Sequence, residues 1–222
     1  MTQIQDAPIV NLASELLTSL PSINEEEKRV GLEIYRQLSL GQPVQRAGLA
    51  EALHRPLAAV EEILGHTNLK SLTYTDAEGR IVGFGGLAIP EMPHRFTIAG
   101  RTLYTWCAWD SLFIPVILGV EAEVDSPAPG SAARVRLNVA PDGVKRVQPQ
   151  TAVMSFLLPS AKIFQGDALK AIASFCHYIF FFPDRETANR WTRDHPETMV
   201  ISVLDAFQLG RLMVDSRWRP AL

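Results

Sequence analysis

Two cysteines and one aspartate are the residues best placed for chemistry in this chain of 222 residues, which contains no other cysteine. Cys107 lies three positions before Asp110 in the segment WCAWD, and Cys176 lies far downstream in the segment SFCHYIFFF. Residues three apart on a helical turn are neighbours, so such a turn would place the Cys107 thiol beside the Asp110 carboxylate. The spacing therefore predicts a paired thiol and carboxylate in aromatic and aliphatic surroundings.

The chemistry of this pair is specific. A carboxylate raises the pKa of a neighbouring thiol, so Asp110 is not the group that would stabilise a free thiolate at Cys107. The pair becomes useful if Asp110 carries the proton while a soft metal captures the sulfur, because metal coordination deprotonates a thiol. We therefore interpret Cys107 and Asp110 as candidates for thiol chemistry at a soft metal.

A purely structural interpretation of the same residues is also open. Cys107 would then be a small buried hydrophobic residue, Asp110 the cap of the following helix, and Cys176 an ordinary thiol in a strongly apolar strand. One disulfide would be expected only in an exported protein. The N-terminus lacks a basic start followed by a long apolar run, so we expect free thiols and a cytoplasmic location.

The first part of the chain predicts a helical module. Apolar residues recur at helical spacing over residues 7–66, with Asn24 placed as a cap and a break near Pro56. Residues 69–89 alternate around the turn sequence DAEG, which is typical of a β-hairpin. Three helices and a hairpin predict a winged-helix-like domain over residues 1–89.

Charge argues against nucleic acid as the partner of this module. Residues 1–82 carry seven basic and eleven acidic residues, a net charge of about −4, which is the opposite of a phosphate-binding surface. The whole chain has a formal net charge of −3, and no segment reaches roughly 18 uninterrupted apolar residues. We expect no nucleic acid or membrane partner, and a structural or interaction role for the module.

The rest of the chain predicts a second domain of mixed structure. A linker at residues 90–95 contains two prolines, and strands follow around a turn at Gly100. Alternating segments ending with TAVMSFLLP are separated by turn sequences and predict an antiparallel sheet. A helix beginning at Asp184, the strand TMVISVL and the helix DAFQLGRLMVD complete the pattern. The fold class is therefore α+β, with a candidate catalytic domain over residues 96–222 that contains Cys107, Asp110 and Cys176.

Three segments give the chain a resemblance to a known family: RTLYTWCAWDSLFIPVILG, SFCHYIFFF and TMVISVLDAFQLG. From about residue 10 to about residue 212 the chain resembles the bacterial organomercurial lyases (alkylmercury lyases), which cleave carbon–mercury bonds to a hydrocarbon and Hg(II). The segments WCAWD and FCH are the most specific parts. The resemblance implies that Cys107 is a mercury-binding catalytic thiol, Asp110 the proton-transfer group and Cys176 the second mercury ligand.

The resemblance also implies partners and product handling. No cofactor is expected, because mercury is substrate and product, and external thiols are needed to release it. These would be small cytosolic thiols or the cysteine pair of a mercuric reductase. His177 stands where some family members carry another cysteine, and we expect that position to be dispensable. Four aromatic residues are expected either to form an apolar wall for the organic group or to belong to the ordinary core: Trp106, Trp109, Phe113 and Phe175.

Other functions are less consistent with the sequence. A winged-helix thiol sensor that binds Hg(II) or oxidants without turnover is the main alternative, but a sensor needs no proton donor at Asp110. The five histidines show no zinc-binding spacing, and a cysteine hydrolase would need a histidine near Cys107. The segment GFGGLA, residues 83–88, runs into the linker instead of opening a helix, so we interpret its glycines as backbone flexibility.

Overall fold

The computed structural model describes residues 6–157 and 168–219. Over these residues the α-helices are α1 (Asp6–Ser19), α2 (Glu25–Leu38), α3 (Arg46–Ala52), α4 (Leu57–His66), α5 (Asp110–Leu118), α6 (Ala168–Ser174), α7 (Arg185–Arg193) and α8 (Val203–Arg217). Short 3₁₀ helices cover Asn68–Leu72 and Cys176–Tyr178. None of the described helices is both long and apolar enough to cross a bilayer.

Sequence signals explain where several helices begin. Asn24 caps α2 as predicted: its side chain accepts the amides of Glu26 and Glu27, and the Glu27 carboxylate accepts the Asn24 amide in return. Asp184 caps α7 in the same manner by accepting the Thr187 amide at 2.7 Å. These caps satisfy backbone amides that have no partner inside the helix.

The strands form two antiparallel sheets. They are β1 (Thr73–Thr75), β2 (Ile81–Phe84), β3 (Leu87–Ala88), β4 (His94–Ile98), β5 (Arg101–Thr105), β6 (Ala122–Pro127), β7 (Arg134–Ala140), β8 (Gly143–Gln148), β9 (Val153–Leu157), β10 (Phe181–Phe182) and β11 (Thr198–Ser202). The larger sheet has eight strands in the order β1-β2-β3-β5-β4-β6-β7-β8, and the smaller has the order β10-β9-β11. The predicted α+β class with an antiparallel sheet is confirmed.

The larger sheet runs through the point where the sequence predicted a linker. Strand β3 pairs with β5, so Leu87 lies opposite Thr105, and His94 and Arg95 from the predicted linker belong to β4. The hairpin of β1 and β2 is present around the predicted turn. One buried apolar cluster extends from Ile9 to Trp218. The winged-helix interpretation of residues 1–89 and the two-domain division stay predictions.

Two expectations about the later strands are wrong. The segment around Cys176 was expected to be a strand, but Cys176–Tyr178 is a 3₁₀ helix and only Phe181–Phe182 pairs with β9. A continuous apolar run cannot distinguish a strand from another buried element, because it has no periodicity. Strand β9, expected in the same sheet as β6 to β8, lies in the smaller sheet.

Candidate active site

Cys107 and Asp110 lie in the tight connection between β5 and α5. The Cys107 amide donates a hydrogen bond of 2.7 Å to Oδ2 of Asp110, and the Thr105 hydroxyl donates to the Cys107 carbonyl at 2.9 Å. The Ser111 hydroxyl closes the same turn by donating to the Ala108 carbonyl at 2.6 Å. Three local hydrogen bonds therefore fix the turn that carries the thiol and the carboxylate.

Asp110 does not act as the ordinary cap of its helix. Trp109 occupies the N-cap position and makes no side-chain capping bond, while Asp110 is the first helical residue. Its carboxylate turns back to the cysteine, where it accepts a hydrogen bond from the Cys107 amide and lies within 4.8 Å of the Cys107 sulfur. The contact between thiol and carboxylate that the spacing predicts is present.

Cys176 reaches the same place from the segment after α6. The Ala108 amide donates to the Ile179 carbonyl at 3.2 Å, which ties this segment to the connection carrying Cys107. The Ser155 hydroxyl of β9 donates to the Tyr178 carbonyl at 2.9 Å and accepts the Phe180 amide at 3.0 Å. The smaller sheet thus anchors the irregular backbone that carries Cys176.

The three predicted residues form one buried cluster. The sulfur atoms of Cys107 and Cys176 and a carboxylate oxygen of Asp110 all lie within 4.8 Å of one another. Both cysteines are free thiols, and the exposed fractions are 0% for Cys107 and 5% each for Asp110 and Cys176. Two thiols and one carboxyl group can bind a soft metal and supply a proton beside it.

Burial keeps the two thiols of this cluster protonated and brings the pKa of Asp110 close to neutral pH. Burial raises the pKa of the Asp110 carboxyl to about 7, against the opposing effect of the hydrogen bonds from Cys107. Burial, the hydrogen bond to Cys176 and the charge of Asp110 raise the pKa of the Cys107 thiol well above its ordinary value. The hydrogen bond to Cys107 lowers the pKa of Cys176, but burial and Asp110 outweigh it and raise the pKa overall. The thiols therefore need an electrophile to lose their protons.

A cavity of about 80 Å³ opens onto the cluster. Cys176 and Asp110 line it, whereas Cys107 lies behind them and is fully buried. All four aromatic residues named from the sequence contribute to its wall: Trp106, Trp109, Phe113 and Phe175. The same four residues belong to the buried core, in which the rings of Trp109 and Phe113 pack edge to face with 5.0 Å between their centroids. The cavity wall and the core are therefore formed by the same side chains.

Sequence reasoning missed the glycine pair beside the carboxylate. Gly85 and Gly86 have φ angles of +49° and +101°, and a methyl group on Gly86 would overlap the Asp110 carboxyl group. The Tyr35 hydroxyl of α2 donates to the Gly85 carbonyl at 2.7 Å, and the Trp106 amide donates to the Gly86 carbonyl at 2.8 Å. In GFGGLA, Gly86 therefore serves close approach to Asp110 and Gly85 close approach to the Tyr35 hydroxyl, so these two glycines do not provide flexibility. Two consecutive glycines after a strand were the available signal.

The histidines stay away from the cluster. His177 is exposed and its ring contacts Tyr178 and Phe180, while His94 is buried against the Ser126 hydroxyl at 2.7 Å. The cavity wall contains no histidine among the described residues. Within the same part of the chain, the three-residue cluster is the one metal-binding arrangement found. A cysteine hydrolase and a zinc site gain no support from this geometry.

Comparison with known proteins gives the family. The profile of the family described as alkylmercury lyase (MerB) matches residues 87–215. The alkylmercury lyase of Staphylococcus epidermidis is 35% identical over 204 residues, 89% of each chain, and that of Streptomyces lividans is 36% identical over 214 residues, 95% of this chain and 94% of the other. A crystal structure of the mercury-bound form of MerB2 shares the fold, with a TM-score of 0.76, 20% identity and coverage of 93% and 97%. On these similarities the chain belongs to the alkylmercury lyase family.

Proposed function

We propose that the protein cleaves the carbon–mercury bond of organomercurials by protonolysis, with Cys107 and Cys176 as mercury ligands and Asp110 as proton donor. Family membership supports the reaction. The observation that carries the roles is the burial of two thiols and one carboxyl group with donor atoms within 4.8 Å of one another. Each group has a different task in this reaction, and the described cluster contains no surplus donor.

The cavity suggests the order in which the groups act. Cys176 lines the cavity and meets the metal first, replacing the thiolate of an entering adduct R–Hg–SR′, which leaves as R′SH with the Cys176 proton. Cys107 then binds the same mercury and passes its proton to Asp110, which has a carboxylate oxygen within 4.8 Å of the Cys107 sulfur. Two sulfur ligands increase the electron density on mercury and weaken its bond to carbon. Soft thiolates suit this soft metal.

Asp110 completes the reaction by protonating carbon. A pKa of about 7 lets the carboxyl group accept a proton from Cys107 and give it up again near neutral pH. The products are the hydrocarbon RH and Hg(II) held by two protein thiolates, so both protein protons are accounted for. The aromatic wall holds the organic group and excludes water, which strengthens the electrostatic interactions inside the cavity.

Product release requires other thiols. Hg(II) bound by two sulfurs leaves by exchange with two incoming thiols, taken from small cytosolic thiols or from the cysteine pair of a mercuric reductase. The proposal includes no further cofactor, and it assigns the protein to the cytoplasm because release depends on these thiols. The N-terminal helices have a structural role here, because Tyr35 of α2 holds the Gly85 carbonyl and Leu20 contributes to the cavity wall.

The test is incubation of the purified protein with phenylmercury, with and without excess small thiol, while benzene is measured. We expect many turnovers with thiol and a single burst of about one benzene per protein without it. Stoichiometric mercury binding with no benzene under any thiol condition would favour the alternative, a thiol sensor. Repeated turnover in thiol-free buffer would contradict release by exchange.

A further inference from the structure

Arg217, the last residue of α8, lies where two cavities meet. Its side chain contributes to the wall of the cavity that opens onto Cys176 and Asp110. It also contributes to an adjacent pocket of about 250 Å³ at the surface. Leu20 is the other residue that both walls share. A ligand too large for the inner cavity would therefore extend past Arg217 toward the outer pocket.

The guanidinium of Arg217 has no ion pair or hydrogen bond among the described residues, and this distinguishes it from its neighbours. Arg219 pairs with Asp215 at 2.8 Å, and Lys28 in the outer pocket pairs with Glu25 at 2.6 Å. Arg217 is half-buried, and burial lowers its pKa to about 10. It therefore stays cationic at neutral pH while it is partly removed from water.

The neighbouring carboxylate of Glu27 does not take the place of a hydrogen-bonded partner for Arg217. The Glu27 carboxylate acts on Arg217 only through its electrostatic field, and it accepts the Asn24 amide at 2.6 Å. A cation withdrawn from water without a hydrogen-bonded partner is costly unless a ligand supplies one. A second polar group in the inner wall is also unsatisfied: Nε1 of the buried Trp106 has no hydrogen-bond partner among the described residues.

We infer that Arg217 binds a carboxylate carried by the mercury compound, so that the protein prefers anionic organomercurials to neutral ones. This inference rests on the proposed function. A guanidinium suits the purpose because its planar fork binds carboxylate through two parallel hydrogen bonds. In R–Hg–SR′ the carboxylate has two sources, the organic group R and the thiolate SR′, and both pass the same residue on the way to Cys176.

The experiment compares kcat/KM for matched compounds in two arms. The first compares 4-mercuribenzoate with phenylmercury, both with 2-mercaptoethanol. The second compares phenylmercury with 3-mercaptopropionate and with 2-mercaptoethanol, at equal thiolate concentration. The variants are Arg217→Met, Arg217→Lys and the control Arg211→Met, which removes an exposed arginine from the same helix.

We expect wild type to prefer the carboxylated compound in at least one arm, and that arm identifies the source. Arg217→Met should lower this preference ratio about tenfold or more, because a factor of this size corresponds to the free energy of a hydrogen bond to a charged group. Arg217→Lys should keep part of it, because a lysine retains the charge without the fork. Arg211→Met should leave the ratio unchanged. The lysine variant still decides the question if the methionine variant does not fold.

Two results would overturn the inference: no preference in wild type in either arm, or a preference that every folded Arg217 variant retains in full. Failure of the proposed function is recognised separately, since wild type would then release no hydrocarbon from any compound. In that case the same ratios are measured as equilibrium affinities, by competition between the carboxylated and neutral mercurials. An affinity ratio unchanged in Arg217→Met would count equally against the inference.

Discussion

Cys107 and Cys176 are both buried free thiols, yet the chain holds them in different ways. Cys107 lies in a turn closed by hydrogen bonds between residues 105 and 111, and its sulfur lies within 4.8 Å of a carboxylate oxygen of Asp110. Cys176 lies on an irregular segment anchored by Ser155 of a distant strand, and it faces the cavity. This difference supports the proposed division of roles, in which Cys107 passes a proton and Cys176 meets the metal.

The largest expected effect comes from removing either sulfur. Cys107→Ser and Cys176→Ser should each reduce hydrocarbon release from phenylmercury to background, because a hard hydroxyl is a poor ligand for a soft metal. Both proteins should remain folded by circular dichroism. The rate of phenylmercury binding should distinguish the two variants. Cys107→Ser should still bind phenylmercury through Cys176, whereas Cys176→Ser should bind it more slowly. Near-normal turnover of either variant would exclude the mechanism with two thiolates.

The next largest effect belongs to Asp110→Asn. The amide keeps the shape and an oxygen that can accept the Cys107 amide, but it cannot supply a proton. Cleavage should fall about 10²- to 10⁴-fold, the usual contribution of general acid catalysis. Binding of Hg(II) through both sulfurs should persist, measured as metal bound per protein. A wild-type rate of cleavage would show that water or a thiol delivers the proton.

A smaller effect is expected from Gly86→Ala, which tests the close approach of the backbone to Asp110. The added methyl group would overlap the carboxyl group, and φ is +101° at this position. We expect a loss of about 1–3 kcal/mol in the free energy of unfolding and at least a tenfold drop in kcat. The control is Gly100→Ala, at a φ of +75° with no neighbouring atom within 4 Å. Equal effects of the two substitutions on kcat would mean that the contact with Asp110 is irrelevant.

The contrast between the two cysteines also explains what sequence alone could predict. The proximity of Cys107 and Asp110 depends on their separation by three positions and on a local turn, so it could be predicted from the segment WCAWD. The path of the backbone around Cys176 could not be predicted in this way, because it is anchored by the side chain of Ser155, which lies more than twenty positions away. The sequence analysis also missed Arg217 and the pair Gly85 and Gly86, because their importance depends on a cavity that is enclosed by distant elements.

The protonation of Asp110 should appear in the pH dependence of stability. Its pKa rises from the ordinary 3.8 to about 7 in the folded protein, so the folded state binds the proton more tightly. This contribution to stability is complete below about pH 3.8 and is lost as the pH rises to about 7. Relative to Asp110→Asn, wild type should lose up to about 1.4 kcal/mol per pH unit in that range. Urea unfolding of both proteins at several pH values measures the slope, and parallel curves would contradict the shift.

The smallest effect is expected at His177, the direct neighbour of Cys176. The two adjacent side chains point to different surroundings: Cys176 is 5% exposed and lines the cavity, whereas His177 is exposed and contacts rings outside it. Because the 3₁₀ turn separates them in this way, His177→Ala should change kcat/KM less than about twofold, as is usual for surface substitutions. The rate of thiol-dependent Hg(II) release should be equally unaffected, measured by transfer to a chromogenic chelator. If the substitution slowed release markedly and left kcat/KM unchanged, mercury would pass His177 as it leaves. The incoming thiols would then remove mercury from Cys176 on the side that faces the surface.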